Sequence, residues 1–282
     1  MLNCPHSSIL QEAKKMTIIQ RPSCRLIQYS ENDAATNMAT DEAILEAHLK
    51  SIVPPTLRIY KFTPPAVSFG YAQNIDEVLC QKIQSKGFNI VRRPTGGRAV
   101  LHFGDLTYAF ICSAKGAPLS QYALVDDSVA LAYKEISQAL IVFLESLGMS
   151  VEFGSNKANY KDKNDCFLAT TIGDLQHKGH KIVGSAQLRR RHAVLQHGSI
   201  ILDQPLTLMH DLLENENKET RHANLFEITR MEHSIATLER EIVKGFQQTF
   251  NCRFLPKDLT SYEQGLIKKL KNKYTQMARV EA

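Results

Sequence analysis

The sequence lacks the cysteine spacing that zinc sites and disulfide-rich proteins share. No two of its cysteines are separated by two residues, and no short spacing recurs among them. The six cysteines in the 282 residues are Cys4, Cys24, Cys80, Cys112, Cys166 and Cys252. This scatter argues against a structural zinc site or a disulfide framework, and it predicts reduced thiols in a cytoplasmic protein.

A long hydrophobic run is also absent. No apolar stretch approaches the roughly 18 residues that a membrane-spanning helix needs. Residues 11–15 include two lysines and a glutamate, in the region where a signal peptide would carry its apolar stretch. We therefore expect a cytoplasmic protein with no membrane partner. Residues 1–22 are interpreted as a polar extension, with Met16 as an alternative start to Met1.

Neither sign of charge is in strong excess. The chain has 34 lysines and arginines against 29 aspartates and glutamates, which gives a formal net charge of +5. Such a balance permits an acidic partner but does not imply nucleic acid. Hydrophobic residues make up 43% of the chain and charged residues 22%, so a folded globular protein with a sizeable core is expected.

The first third of the chain predicts a helix followed by strands. Asp33 can cap a helix that runs to about Lys50. Residues 56–62 and 66–70 then have the composition of two strands on either side of a proline pair. A second helix is predicted between Asn74 and Gly87.

The middle of the chain predicts more strands and one long helix. Residues 88–113 are mostly β-branched and aromatic, and the segment 94–97 interrupts them with a glycine turn. Apolar residues between 125 and 147 recur every three or four positions, which indicates a helix, and Gly148 follows where a C-terminal cap belongs.

The last third predicts a second block of hairpins and two helices. Residues 165–202 hold two or three strands with turn signals at 173–174 and 177–179, and amphipathic patterns follow at 235–250 and 259–274. The order of elements favours an α+β fold with mixed sheets and packed helices over alternating βαβ units. We expect an extension at 1–22, a catalytic domain at 23–252 and a helical tail at 253–282.

The first candidate site is the pair Gly96-Gly97 between Arg92-Arg93 and Arg98. Two glycines let the backbone turn sharply and approach a ligand, and the arginines would suit a carboxylate or a phosphate. The spacing matches neither a Walker loop nor Gly-x-Gly-x-x-Gly. Taken alone, the pattern favours a tight turn with solvated arginines.

The second candidate combines Lys181 with Cys166. Small residues at 184–186 mark a strand that another group approaches closely, and Lys181 would point at that group. If the segments 165–176 and 180–190 pair, the lysine comes near Cys166 and favours its thiolate form. Taken alone, Lys181 is more simply interpreted as an exposed lysine, and Cys166 as an inert buried cysteine.

Two further patterns remain open. The histidines at 177, 180, 192 and 197 are dense, but they lack the spacing of a helical zinc motif, so hydrogen-bonding or surface roles and no metal are expected. The run Arg189-Arg190-Arg191 fits a basic patch for an acidic carrier protein, although a solvated hairpin end explains it more simply.

Taken in order, these signals resemble the lipoate–protein ligase and octanoyltransferase family, which is related to biotin protein ligase. The resemblance is to its cysteine-dependent octanoyltransferases, of the LipM type. The matching segments are Asn37 to Ala43, Pro64 to Tyr71, Arg92 to His102, Leu106 to Tyr108, Cys166-Phe167, Lys181 to Gln187 and Gln196 to Ile200.

The resemblance implies an α+β domain like the biotin and lipoate ligase catalytic domains, with a tunnel for a medium-length acyl chain. It implies that Cys166 carries the acyl group and that Lys181 touches the acyl carbonyl. The residues that it implies for binding the acyl group or substrate are Arg93, Thr95, Gly96, Gly97, Arg98, Ala99, His102, Gly184, Ser185, Ala186, His197 and Gly198.

The implied reaction moves octanoyl from acyl carrier protein to Cys166 and then to a lysine of a lipoyl-domain protein. That acceptor is the glycine-cleavage H protein or a 2-oxoacid dehydrogenase E2 subunit. We expect no cofactor, and we expect the protein to be a monomer. Two alternatives stay open: an ATP-dependent lipoate–protein ligase, and an acyl- or carrier-binding protein without turnover.

Overall fold

The computed structural model describes residues 23–117, 122–154, 174–205, 208–213 and 223–277. The helices are α1 (Ala34–Leu49), α2 (Glu77–Ser85), α3 (Val129–Ser146), α4 (Leu208–Leu213), α5 (Leu225–Thr229), α6 (Ile235–Phe250) and α7 (Ser261–Met277). The strands are β1 (Ser23–Asn32), β2 (Thr56–Phe62), β3 (Ala66–Phe69), β4 (Asn89–Arg92), β5 (Val100–His102), β6 (Asp105–Ala114), β7 (Ala123–Val125), β8 (Glu152–Phe153), β9 (Leu175–His177), β10 (His180–Arg190), β11 (Ala193–Ile201) and β12 (Arg253–Pro256).

The strands form one large and one small mixed sheet. In the described part of the chain, the large sheet has the order β12-β1-β2-β6-β11-β10-β9-β8, with β7 beside the end of β6. β1 runs parallel to β2 and β12, whereas β2, β6, β11 and β10 are successively antiparallel. The small sheet has the order β4-β3-β5. The predicted α+β fold with mixed sheets is confirmed.

Helices cover both faces of the large sheet because its central strands are apolar on both sides. Phe110 of β6 belongs to the apolar cluster that contains Leu140 of α3 and Phe246 of α6. The next residue along, Ile111, belongs to a second cluster with Ile44 of α1. Since successive strand residues point to opposite faces, β6 is buried between two helical layers.

The small sheet has its own apolar cluster. Val67 of β3 and Leu101 of β5 pack there with Ile83 of α2 and Leu212 of α4. Ile201, the last residue of β11, joins the same cluster and so links the two sheets. Strands β3 and β5 of the small sheet and β2, β6, β10 and β11 of the large sheet line a common space.

The C-terminal strand and helix extend the same layers. β12 pairs with β1, and α7 packs on α1. The guanidinium of Arg25 and the carboxylate of Glu263 form a buried ion pair, with Nη1 and Oε2 2.9 Å apart. The Tyr274 hydroxyl donates to the carboxylate of Glu42 across 2.6 Å. These buried polar contacts fix α7 against β1 and α1.

Most elements begin and end where local signals predicted. The Asp33 carboxylate caps α1 by accepting from the backbone N–H of Thr36. Gly148 follows α3 with a φ of +82°, which suits a glycine cap. The turn between β9 and β10 places Lys178 and Gly179 at positive φ. These three predictions are confirmed.

Two expectations need adjustment. The helix expected from Asn74 begins at Glu77, because Asp76 supplies the side chain that caps it. The strands on either side of the proline pair, β2 and β3, do not pair with each other, since β2 lies in the large sheet and β3 in the small one. The chain therefore crosses between sheets at this point.

Candidate active site

A cavity of about 100 Å³ lies where the two sheets meet. Helix α1, the strands β2, β3, β5, β6, β10 and β11 and the segment between β4 and β5 all contribute to its wall. The lining residues are Met38, Tyr60, Phe62, Ser68, Arg93, Gly97, Val100, His102, Thr107, Asp174, Lys181, Gly184, Ser185, Ala186, His197, Gly198 and Ser199. Most of the predicted site residues are thus brought together by the fold.

The register of the central strands sets the floor of the cavity. Across β2, β6, β11 and β10, the residues Tyr60, Thr107, Ser199 and Gly184 lie side by side. Residues directly opposite in neighbouring strands share one face of a sheet. The hydroxyl-bearing residues and Gly184 therefore face the cavity together.

Gly184 leaves the space that the side chain of Lys181 occupies. A Cβ atom at position 184 would lie 2.7 Å from Cε and 3.0 Å from Nζ of Lys181. Any larger residue there would push the lysine out of its place. The small residues at 184–186 were predicted to mark a close approach, and the group that approaches Gly184 is this lysine.

Lys181 is held in the cavity by an ion pair with Asp174. Its Nζ atom lies 3.0 Å from Oδ1 of Asp174, and the two side chains are only 7% and 4% exposed. Asp174 directly precedes β9, and β9 pairs with β10 beside Lys181 through an irregular register. The charge of the lysine is therefore opposed by a carboxylate, a partner that sequence reasoning missed.

The glycine turn is shaped by close backbone packing. Gly97 has a φ of +92°, and a Cβ atom there would lie 2.8 Å from the guanidinium of Arg93. A Cβ atom at Gly70 would lie 1.8 Å from the carbonyl oxygen of Gly97. At Gly96 a Cβ atom would meet no atom within 4 Å. The two glycines of the turn thus have unequal steric requirements.

The arginines beside the turn bind backbone carbonyls. The Arg93 guanidinium donates to the carbonyl oxygens of Ser68, Gly96 and Arg98 over 2.7–3.2 Å. Arg92 binds the carbonyls of residues 70, 71 and 73 in the same way. The sequence suggested an anion site or solvated side chains. The described contacts show that both arginines build the turn, and because Arg93 also lines the cavity, its role in binding substrate stays a prediction.

His197 links the glycine turn to helix α1. Its Nδ1 atom lies 3.0 Å from Oδ2 of Asp41, and its Nε2 atom lies 2.7 Å from Oγ1 of Thr95. Asp41 also contacts Arg58 at 2.6 Å and accepts from the Tyr60 hydroxyl at 2.7 Å. This buried polar chain connects α1, β2, β11 and the turn.

The charge states of Asp41 and His197 follow from burial and from their hydrogen-bond partners. Burial raises the pKa of the Asp41 carboxyl, but the Arg58 guanidinium and the hydrogen bonds from His197 and Tyr60 outweigh it and hold that pKa below its ordinary value. Burial lowers the pKa of His197 despite the attraction of Asp41, so the imidazole is neutral at pH 7. Its Nδ1–H then donates to Asp41, and its Nε2 accepts from the Thr95 hydroxyl.

His102, the last residue of β5, is also part of the cavity wall. Its Nδ1 atom lies 2.9 Å from Oδ2 of Asp105, and its Nε2 atom lies 2.9 Å from Oγ of Ser68. The Phe62 ring stacks on the imidazole with a centroid distance of 3.8 Å. Asp105 and Asp174 were not singled out as site residues from the sequence, whereas Asp41 and Ser68 lie within the segments that carry the family resemblance, without a role assigned to them.

The remaining predicted residues lie near the cavity without lining it. Thr95 reaches the site through His197, and Gly96 and Arg98 contact Arg93 through their carbonyl oxygens. Ala99 is buried in the cluster of the small sheet. Cys166 lies outside the described residues, so its distance from Lys181 stays a prediction.

The run Arg189-Arg190-Arg191 is largely committed to intramolecular contacts. Arg189 donates to the carbonyl oxygens of residues 126–128, and Arg190 forms ion pairs with Glu42 and Glu46. Arg191 forms the tight turn between β10 and β11. The run therefore connects elements of the fold as well as closing a hairpin.

Neither a metal centre nor a membrane helix is found where the structure can be described. Within those residues, no three histidine, cysteine, aspartate or glutamate side chains are grouped as a metal site would require. Among the described helices, none combines the length and the apolarity needed to cross a membrane.

Comparison with known proteins gives a consistent result. Residues 33–247 match the sequence model of the family described as "Lipoyl protein ligase A/B catalytic domain". The octanoyltransferase LipM of Kyrpidia tusciae is 34% identical over 267 residues, which cover 89% of this chain and 95% of that protein. The LipM of Brevibacillus brevis is 36% identical over 254 residues, or 84% of this chain and 90% of the relative.

Solved structures show the same fold. A lipoate-protein ligase A bound with ATP superposes with a TM-score of 0.73 at 23% identity, covering 89% of this chain and 95% of that one. A bipartite lipoate protein ligase from Thermoplasma acidophilum, studied with its E2 lipoyl domain, superposes with a TM-score of 0.67 at 21% identity, covering 92% and 99%.

Proposed function

Because the chain belongs to the lipoyl protein ligase A/B catalytic-domain family, we propose that it is an octanoyltransferase of lipoate biosynthesis. The observation that carries this proposal is the similarity to the LipM octanoyltransferases, which extends over 95% of the length of the Kyrpidia tusciae relative. The likeness to the ligase structures concerns the fold alone, since an acyltransferase and a ligase can share it.

The proposed substrates are acyl groups carried on proteins. The donor is octanoyl-acyl carrier protein, and the acceptor is a lysine of a lipoyl domain, in the glycine-cleavage H protein or an E2 subunit. The E2 lipoyl domain studied with the Thermoplasma ligase supports the lipoyl domain as acceptor class. The donor rests on the resemblance of the sequence to cysteine-dependent octanoyltransferases.

The first proposed step transfers octanoyl to Cys166. The Cys166 thiolate attacks the thioester carbonyl, a new carbon–sulfur bond forms, the bond to the pantetheine sulfur breaks, and that sulfur takes up the proton that the Cys166 thiol had lost. Lys181, held at the cavity wall by Asp174, would stabilise the developing negative charge on the carbonyl oxygen. Gly97, His102, His197 and Gly198 line the same cavity and would contact the acyl group.

The second proposed step transfers octanoyl to the acceptor lysine. Its neutral amine attacks the enzyme thioester, an amide forms, and the Cys166 sulfur leaves and takes up the proton that the amine loses. Both steps start from a thioester, so neither requires ATP. A ligase must instead activate a free carboxylate, and ATP dependence therefore separates the two enzymes.

Intact-mass measurement tests the proposal. The protein is mixed with octanoyl-acyl carrier protein, first without and then with ATP, and a lipoyl-domain acceptor is added afterwards. We expect an octanoyl adduct without ATP and its loss to the acceptor. A parallel mixture contains free octanoate and ATP in place of the carrier protein, and an acceptor that is octanoylated only in that mixture, with no adduct on the enzyme, would show a ligase. Binding with neither adduct nor transfer would show a binding protein.

Two cysteine variants locate the adduct. Cys166→Ser should abolish the adduct and the transfer. Cys112→Ser is the matched control, because Cys112 is fully buried in β6, and it should retain both. An adduct that persists in Cys166→Ser, or that maps to another cysteine, would contradict the proposed nucleophile.

A further inference from the structure

Ser68, His102 and Asp105 form a hydroxyl–imidazole–carboxylate series at the cavity wall. The Oγ atom of Ser68 lies 2.9 Å from Nε2 of His102, and Nδ1 of His102 lies 2.9 Å from Oδ2 of Asp105. The three residues are 1%, 6% and 3% exposed. A nucleophile that contacts a base, which in turn contacts an orienting acid, is the arrangement that activates serine for acyl transfer.

The orientation of the imidazole is fixed from both ends. Oδ2 of Asp105 also accepts from the Ser199 hydroxyl at 2.7 Å and from the Thr107 hydroxyl at 3.3 Å. Donors surround this oxygen, so the Asp105 side chain acts as an acceptor and Nδ1 of His102 carries the hydrogen that it donates to Asp105. The Nε2 lone pair of His102 then faces the Ser68 hydroxyl, as a general base requires.

A positive charge lies beside the serine oxygen. Nη1 of Arg93 lies 3.3 Å from Oγ of Ser68 and 2.9 Å from its carbonyl oxygen. A nearby cation favours the deprotonated form of a hydroxyl. The guanidinium and the imidazole therefore polarise the Ser68 O–H bond in the same direction.

Position distinguishes Ser68 from the similar series at Thr95. Thr95, His197 and Asp41 also form a hydroxyl–imidazole–carboxylate series, but Thr95 does not line the cavity, whereas Ser68 does, together with Lys181. Asp41 is in addition shared with Arg58. The series at Ser68 is the one whose hydroxyl faces the space where a substrate would lie.

We propose that Ser68 is an activated nucleophile, which gives the protein a second, serine-dependent activity toward medium-chain acyl thioesters. The choice of substrate class rests on the function proposed above. The Ser68 oxygen attacks the thioester carbonyl, the carbon–sulfur bond breaks, and the thiol leaves with the proton that His102 took from the serine. Water then attacks the resulting ester with His102 as base, releasing the fatty acid and restoring the hydroxyl.

An alkyl fluorophosphonate with an octyl chain tests the nucleophile directly. Attack by an activated serine forms an oxygen–phosphorus bond, fluoride leaves, and the proton passes to His102. We expect the probe to label the Cys166→Ala protein at Ser68, as mapped by peptide mass spectrometry, and not to label the Ser68→Ala, Cys166→Ala protein. His102→Gln and Asp105→Asn should slow labelling roughly 100-fold or more, since a general base contributes about that factor.

Ser137→Ala is the matched control. Ser137 is buried like Ser68, but it lies in α3 and does not line the cavity. Labelling at Ser68 should persist in this variant. Thermal unfolding of every variant shows whether the fold is retained, and the wild-type and Cys166→Ala proteins give an answer even if a Ser68 variant does not fold.

The second measurement is hydrolysis of octanoyl-N-acetylcysteamine by the Cys166→Ala protein without an acceptor. The proposal is supported if the Cys166→Ala protein releases octanoate and the additional substitution Ser68→Ala lowers the rate of that release at least about tenfold. Absence of label at Ser68 in the folded Cys166→Ala protein, or label at Ser185 or Ser199 instead, would overturn it. Since phosphonylation of Ser68 does not need Cys166, failure of the octanoyltransferase proposal would appear separately, as a missing Cys166 adduct.

Discussion

Nζ of Lys181 lies 3.0 Å from Oδ1 of Asp174, and both side chains face the cavity between the two sheets. The lysine that the sequence marks as the catalytic cation is therefore one half of a buried ion pair. Asp174 opposes part of the positive charge that Lys181 would direct at a substrate or at Cys166. The first two predictions follow from this pair.

A double-mutant cycle should show that Lys181 and Asp174 are coupled in stability. Removing one partner of a buried pair leaves the other charge poorly compensated, so Asp174→Asn and Lys181→Met should each lower the free energy of unfolding by about 3 kcal/mol. The double variant should cost clearly less than the sum of the two. Urea unfolding at pH 7.5 measures all four proteins, and strict additivity would show that the ion pair contributes no coupling.

Substitutions of the two members of this pair should shift the pKa of the Cys166 thiol in opposite directions. Lys181→Met removes a cation, so the pKa should rise by about one unit or more. Asp174→Asn removes the opposing anion, so the pKa should fall. The pH profile of Cys166 alkylation by iodoacetamide, followed by peptide mass spectrometry, measures both shifts.

Two of the other cysteines, Cys80 and Cys112, should interfere little with that measurement. Burial raises the pKa of the thiols of Cys80 and Cys112, which slows their reaction at neutral pH. Octanoyl transfer by Lys181→Met should fall in step with the alkylation rate, although Arg98 can supply part of the same field. Lost transfer with an unchanged alkylation profile would mean that Lys181 acts on the acyl carbonyl alone.

The two glycines of the turn should differ sharply on substitution. Gly97→Val places a side chain at a φ of +92° and against Arg93. That backbone conformation costs about 1–3 kcal/mol for a residue other than glycine, and the clash displaces the turn, so octanoyl transfer should be largely lost. Gly96→Ala is the control, because its Cβ atom would meet nothing within 4 Å, and it should retain most of the activity.

Steady-state transfer rates and thermal unfolding separate the two effects at this turn. Gly97→Val should remain folded with reduced transfer, since the strain is local. Near-normal transfer by Gly97→Val would show that the turn is not part of the catalytic wall. Equal losses in Gly96→Ala and Gly97→Val would show that flexibility, and not backbone geometry, is the requirement.

His48 should make the protein less stable in mild acid. It is buried at the end of α1, where Nδ1 contacts the carbonyl of Val53 and Nε2 contacts the hydroxyl of Ser113. Burial lowers its pKa to about 4. In the unfolded chain the pKa is about 6.5, so the unfolded state binds the proton first as the pH falls.

The stability from this histidine is complete above about pH 6.5 and is lost as the pH falls toward 4. The difference between the two pKa values corresponds to about 3 kcal/mol. Urea unfolding between pH 7.5 and 4.5 should therefore show a flatter profile for His48→Gln than for the wild type. His180→Gln is the control, because His180 is exposed, and its profile should match that of the wild type. A profile for His48→Gln as steep as that of the wild type would contradict the prediction.

Much of the fold was determined by signals that act over a few residues. Asp33 before α1, Gly148 after α3 and the Lys178-Gly179 turn act through caps and backbone angles, which depend on neighbouring residues only. The spacing of apolar residues in α3 likewise reports one buried helix face. Such features can be predicted from one sequence because their physical causes are local.

The residues of the site could be predicted from the sequence only in part. The glycine turn and the Lys181 strand were recognisable because small residues and cations recur there in order, and these two segments do line one cavity. Their partners were not recognisable. Asp174, like Asp105, has no local pattern that distinguishes it from a turn or strand residue, and Ser68 lies in a segment of the family resemblance that assigned it no role.

Only the tertiary structure decided which side chains meet. Asp41 and His197 are 156 positions apart, and Thr95 and His197 are 102 apart. They make contact because β11 lies between β6 and β10 and pairs in one particular register, which places His197 on the face that α1 covers. A shift of one residue would turn that side chain to the opposite face. Strand order and register depend on the packing of the whole chain, so the polar chains around the cavity, and with them the electrostatics of the site, were fixed only when the sheets assembled.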